Sequence, residues 1–150
     1  MSTAKNAGTL RVVLDTNILI SAFTYPNGRL SQIWRLALLG KYHLLVSPAI
    51  IGEVGKVLRA KFGWDGDHVT ARLRLLIKVA EIVIPVEPLQ TIEDDPDDNR
   101  ILECAVAGQA HLIVSGDRHI RRIGSYREIG IASPTEFLRI LGEAMGGAAI

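Results

Sequence analysis

The chain has 150 residues, 48% of them hydrophobic and only 5% aromatic, with a formal charge of +1. That length suits one domain with an aliphatic core, and the near-neutral total neither requires nor excludes nucleic acid as a partner. The single cysteine, Cys104, excludes a disulfide within the chain, no apolar run reaches the length of a membrane span, and the first residues carry no apolar signal core. The expectation is a soluble protein of the reducing cytoplasm with no membrane partner.

Residues 1–9 are polar and small and read as a loose tail, as do residues 144–150; residues 10–143 form the domain between them. Residues 10–14 are apolar but for Arg11 and read as a strand. Residues 30–39 place Leu30, Ile33, Trp34 and Leu38 on one helical stripe, which Gly40 ends. Leu44, Leu45 and Val46 make a second strand. Ser47 as N-cap and Pro48 at the first helical position open a helix to about Lys61, which carries Glu53.

A further helix is expected over residues 67–80, with Val69, Leu73, Leu76 and Ile77 turned inward. Residues 82–84 form a short strand ended by Pro85. The helix over residues 98–107 buries Ile101, Leu102, Ala105 and Val106 and stops at Gly108. Residues 111–115 are the next strand, residues 120–123 a short turn of helix, and residues 129–131 an edge strand. Ser133-Pro134-Thr135-Glu136 opens the last helix with a capping box. This alternation predicts an α/β fold: one doubly wound domain, a central parallel sheet with helices on both faces.

Four acids fall where such a fold collects its chemistry. Asp15 ends the first strand and Asp117 follows the strand ending in Ser115, while Glu53 and Asp98 stand near helix starts. Carboxylates that share a place repel unless protons or cations hold them, and an all-oxygen set suits Mg²⁺ or Mn²⁺. Each acid also has a plainer reading. Asp15 is a good N-cap for a helix after it, Glu53 a solvated helix charge, and Asp97 or Asp98 a cap in the acidic stretch Glu93-Asp94-Asp95-Pro96-Asp97-Asp98. Glu103 reads equally as solvated. Gly116 allows a tight turn beside Asp117. No glycine-rich phosphate loop occurs, His43, His68, His111 and His119 lack zinc spacing, and Cys104 reads as a buried small hydrophobe.

The run Val12-Val13-Leu14-Asp15-Thr16-Asn17-Ile18-Leu19-Ile20-Ser21-Ala22 resembles the opening motif of PIN-domain ribonucleases. Asp95-Pro96-Asp97-Asp98-Asn99-Arg100-Ile101-Leu102-Glu103 and Leu112-Ile113-Val114-Ser115-Gly116-Asp117 resemble the later acidic motifs, and Val46 to Val54 the helix that brings the family's glutamate. The resemblance covers about residues 10–141 and is nearest to the VapC-like toxins of toxin–antitoxin pairs. It implies an endoribonuclease dependent on Mg²⁺ or Mn²⁺, with Asp15, Glu53, Asp98 and Asp117 as catalytic, metal-holding acids and Asn17 and Ser115 in support. It also implies a homodimer and a cognate antitoxin. Many relatives carry one more acid two residues after the last, where this chain has His119.

Arg118, Arg121 and Arg122 follow Asp117 directly and are candidates for gripping an RNA backbone; an antitoxin-facing or solvated rim is the competing reading. Two other functions stay open. One is a PIN-like module that binds nucleic acid or protein without catalysis. The other is a phosphatase on a similar scaffold, which Asn17 disfavours, since that chemistry wants an acid two residues after Asp15.

Overall fold

The computed structural model describes residues 10–90 and 96–144. The expected tails and the acids Glu93, Asp94 and Asp95 lie outside the described residues. The elements run β1 (Arg11–Leu14), α1 (Thr16–Thr24), α2 (Arg29–Leu38), β2 (His43–Val46), α3 (Pro48–Ala60), α4 (Gly66–Val79), β3 (Glu81–Ile82), α5 (Pro96–Ala107), β4 (Leu112–Val114), α6 (Arg118–Arg121), β5 (Ser125–Tyr126), β6 (Ile129–Ala132) and α7 (Pro134–Ala144). The strands form one sheet in the order β3-β2-β1-β4-β6-β5. Every pairing is parallel except β5 with β6. Val12, Val13 and Leu14 are buried one after another, so both faces of β1 are covered, as a parallel sheet between helices requires.

Local chemistry explains most boundaries. Ser47 Oγ accepts from Ile50 N, and Pro48 occupies the first turn of α3. The capping box of α7 closes in both directions: Ser133 Oγ accepts from Glu136 N at 3.1 Å and Glu136 Oε1 from Ser133 N at 2.8 Å. The Ser133 backbone amide first, and then the Ser133 side chain, hold the Glu136 carboxyl below its ordinary range. At the amino edge of the sheet, Arg11 bonds both Glu81 oxygens and the Gly108 carbonyl, and His43 Nε2 lies 2.7 Å from Glu81 Oε1. His43 and His111 are thus polar joints there: His111 Nδ1 accepts from Arg11 N.

Residues 16–24 form the helix that Asp15 caps, α1, whose Ile18, Leu19, Ile20, Ala22 and Phe23 are buried. Four expectations need correction. Leu38, expected on the apolar stripe of α2, is 45% exposed. Helix α5 begins at Pro96, two residues earlier than expected, so Asp98 is the third residue of its first turn. The strand at Ile129–Ala132 is internal, and β5 forms the edge beyond it, antiparallel through a turn at Arg127 and Glu128. Those two residues have φ of 47° and 69°, a left-handed turn with no glycine or asparagine to announce it. Ile77 is 45% exposed, because it stands about 100° round α4 from the buried Leu76.

Gly108 follows α5 because of space, not backbone conformation. A Cβ there would stand 2.8 Å from Leu45 Cδ1 and 3.1 Å from the Cys104 carbonyl, and the left-handed residue is its neighbour Gln109, at φ 53°. Gly108→Ala is expected to cost about 1–3 kcal/mol in urea unfolding by forcing α5 off β2. Gly52→Ala, on α3 where an added Cβ meets nothing within 4 Å, is expected to stabilise by about 0.5–1 kcal/mol. Equal effects at the two glycines would contradict the packing assigned to Gly108.

Candidate active site at the carboxyl edge of the sheet

The chain leaves β1 on one side for β2 and β3 and later returns on the other side as β4. The crevice between the carboxyl ends of β1 and β4 is therefore the topological switch point, where open α/β sheets place ligands. Asp15 directly follows β1, and Ser115 directly follows β4. The pairing of the two strands continues past their ends, because Asp15 N donates to Val114 O at 2.9 Å.

The Asp15 carboxylate is buried, at 5% exposure. Its Oδ1 accepts from Asn17 N at 3.1 Å, and its Oδ2 accepts from the fully buried Ser115 Oγ at 2.6 Å. Asp15 is therefore the cap of α1, set at the carboxyl end of β1. Asn17 contributes its backbone amide, while its side chain is exposed.

Ser115 Oγ also accepts from Asp117 N at 3.0 Å. One hydroxyl thus fixes Asp15 and Asp117 relative to each other. Asp117 turns Oδ1 onto its own helix, accepting from His119 N at 2.7 Å and Ile120 N at 3.4 Å, with His119 Nδ1 3.5 Å away. His119, standing where the resemblance wants another acid, faces Asp117 and is half exposed.

Asp98 is buried at 8% exposure in the first turn of α5, a helix that packs on β1, β2 and β4. Glu53 lies on α3, half-buried, and its side chain has no hydrogen bond or ion pair among the described residues. Ser115 joins Asp15 and Asp117, and no contact links Glu53 to them among the described residues. No group of three or more His, Cys, Asp or Glu side chains able to hold a metal ion forms among the described residues. The donors fit a hard divalent cation by type, being carboxylate oxygens. They do not form a closed coordination set as arranged.

Two buried polar residues were not legible as such. Glu103 is 8% exposed and its Oε2 accepts from Leu89 N at 2.8 Å and Arg100 Nη2 at 2.7 Å, which ties the segment before α5 onto that helix. The spacing of three between Arg100 and Glu103 was the available signal. Asn99 is also buried, and nothing in the sequence marked it. Cys104 is fully buried, and burial pushes its thiol up to about 12, which removes it from nucleophilic chemistry. Arg118, Arg121 and Arg122 are all exposed, on α6 and at its C-cap, one turn from Asp117.

Ser115→Ala removes the shared hydroxyl and leaves the buried Asp15 Oδ2 without that donor. A loss of roughly 1–3 kcal/mol in urea unfolding is expected. A loss within experimental error of zero would deny the hydroxyl its joining role.

The PIN domain family model matches residues 11–119. An uncharacterized protein of Methanocaldococcus jannaschii is 29% identical over 140 residues, which cover 86% of this chain and 90% of that protein. Among solved structures, a chain of VapBC2 from Rickettsia felis, bound to a DNA fragment from its promoter, has a TM-score of 0.60 at 15% identity, covering 83% of this chain and 98% of that one. A chain of DNA-bound VapBC from Salmonella typhimurium has a TM-score of 0.61 at 16% identity, covering 84% and 99%. At such identities the likeness is one of fold; the match over residues 11–119 carries the assignment, and the chain belongs to the PIN-domain family.

Proposed function

We propose that this protein is a metal-dependent endoribonuclease that cleaves RNA phosphodiester bonds, acting as the toxin of a toxin–antitoxin pair. The observation that carries the reading is the Asp15–Ser115–Asp117 assembly at the switch point, with Asp98 buried at the start of a helix packed on the same strands. In this reading Asp15, Glu53, Asp98 and Asp117 hold Mg²⁺ or Mn²⁺. Such an ion, when bound, supplies a more acidic water and neutralises charge at the scissile phosphate.

The protein's own groups do the positioning. Ser115 and the Asn17 amide fix the Asp15 carboxylate, so that its lone pairs are oriented before any ligand arrives. Asp117 is fixed through its backbone amide, and its second oxygen lies outside the helix cap that engages Oδ1. Arg118, Arg121 and Arg122 take the phosphates of the strand, which positions RNA without reading its sequence.

Asp15→Asn and Asp98→Asn are expected to lower cleavage of single-stranded RNA at least about a hundredfold while the far-ultraviolet circular dichroism stays as in the parent. Mn²⁺ binding followed by calorimetry should disappear in Asp98→Asn, and excess chelator should stop the parent enzyme. Cleavage that persists in chelator sinks the metal-dependent reading.

Replacing Arg118, Arg121 and Arg122 together by Gln should weaken RNA binding. It should also flatten the slope of log affinity against log salt by up to about 2, roughly 0.7 for each lost phosphate contact. An unchanged slope would assign the three arginines elsewhere.

A second reading is favoured by the engagement of Asp117 in its helix cap. There the protein is a PIN-like module that binds nucleic acid or protein without catalysis, and millimolar Mn²⁺ gives no calorimetric signal. The toxin reading further expects a homodimer in the cytoplasm and a small antitoxin that co-purifies with it. The VapBC assemblies with a similar fold support the partner.

A further inference from the structure

Both tryptophans and three other members of a small aromatic set gather at one place. The chain has eight aromatic residues. Phe23, Trp34 and Trp64 line a cavity of about 550 Å³ between the end of α1, the start of α2 and the start of α4. Tyr25 and Phe62 stack edge to face beside it, with centroids 6.4 Å apart.

The cavity has a floor, a wall and a charged rim. Its floor is Phe23 against the edge of the buried Trp34, with centroids 5.0 Å apart. Its wall is Trp64 stacked on the exposed His68, 3.8 Å apart and 4° from parallel. The outer face of such a stack continues naturally onto another flat ring. The rim holds Arg35 and Arg72. Arg72 lies over Phe23 at 5.0 Å, and Arg35 Nη1 donates to Ser31 Oγ at 2.9 Å. Neither guanidinium pairs with a carboxylate among the described residues, and no acid lines the cavity. Ser31 Oγ sits 2.8 Å from Pro26 O and 2.7 Å from Gly28 O, which fixes the turn below Arg35.

A flat ring, an anionic group and a volume within the range of ligand pockets describe a nucleotide. An acidic peptide would use the charge but not the parallel stack. Phe23 stands eight residues along α1 from Asp15, on the order of 12 Å at the rise of a helix. We propose that this cavity is a nucleotide-binding subsite for single-stranded RNA, taking a base on the Trp64–His68 stack and a phosphate on Arg35 and Arg72, away from the scissile position. This rests on the ribonuclease reading for the source of the nucleotide. The recognition chemistry stands without it.

Because both tryptophans line the cavity, intrinsic fluorescence reports on it directly. The full-length protein in chelator is titrated with a ten-nucleotide single-stranded adenine RNA, with adenosine monophosphate, and with an acidic peptide carrying phenylalanine. Saturable quenching by the RNA is expected, with dissociation constants about tenfold higher in Arg72→Gln and in His68→Ala and partly recovered in Arg72→Lys. His68 is exposed, so its variant decides the matter if Arg72→Gln does not fold. RNA that binds without moving the fluorescence overturns the proposal, as does quenching identical in parent and variants. Equally tight binding of the free nucleotide keeps the recognition chemistry and overturns RNA as its source; quenching by the peptide alone overturns the proposal. Quenching without Mg²⁺-dependent cleavage removes the catalytic reading and leaves the subsite; cleavage without quenching does the reverse.

Discussion

The hydroxyl of Ser115 is the contact on which the carboxyl edge of this sheet depends. It donates to one buried carboxylate and accepts the amide beside another acid, so the ends of β1 and β4 become one unit. The bond needs register. Val12, Val13 and Leu14 pair with Leu112, Ile113 and Val114, and Asp15 N extends the ladder to Val114 O. A slip of one residue would turn every side chain of β1 to the other face. The aliphatic packing on both faces therefore fixes where Asp15 and Ser115 meet. In return, the hydrogen bonds make a buried carboxylate tolerable, since burial without them would cost several kcal/mol by itself.

The two edges of the sheet treat charge differently. At the amino edge the basic side chains and the acid answer one another: Arg11 chiefly, and then His43, hold the Glu81 carboxyl below its ordinary range. That network joins β1, β2 and β3 on the surface, and its exposure keeps its contribution small. At the carboxyl edge Asp15 and Asp117 lean on a hydroxyl and on backbone amides, while the arginines that follow Asp117 stay exposed. A chain with a net charge of only +1 thus keeps acids and exposed arginines side by side at this edge. That distribution suits a phosphate ligand better than any total charge could indicate.

What the sequence made legible follows from how local each signal is. Ser47-Pro48 and the Ser133/Glu136 pair act within one helical turn, so α3 and α7 could be placed almost to the residue. Asp15 could be set at a strand end because Val12, Val13 and Leu14 lead straight to it, and Asp117 because it follows Leu112, Ile113 and Val114 after a short Ser-Gly turn. The β5–β6 hairpin could not, because Arg127 and Glu128 adopt left-handed backbone without the usual turn residues. Arg127 instead bonds Glu87 through two 3.0 Å contacts, a partner forty residues away in the chain. Glu103 was equally opaque: its burial depends on Leu89 N, which no helical periodicity can reveal. Likewise the stripe Ile101, Leu102 and Ala105 fits a helix starting at Pro96 or at Asp98, so periodicity left the start of α5 open.

Helix α1 ties these features together. It begins at the Asp15 cap and ends at Phe23 and Thr24, where Thr24 Oγ1 bonds Ile20 O and Phe23 meets Trp34 and Arg72. Five of its nine residues are buried, and it packs on α2 and α3. A helix held so tightly does not change length, so the distance from the Asp15 carboxylate to the aromatic cavity is set by residue count. The crevice and the cavity are thus rigidly spaced even though no hydrogen bond joins them directly among the described residues. Insertion or deletion within residues 16–24 would break the buried stripe before it could alter that span, which makes α1 the fixed ruler of the molecule.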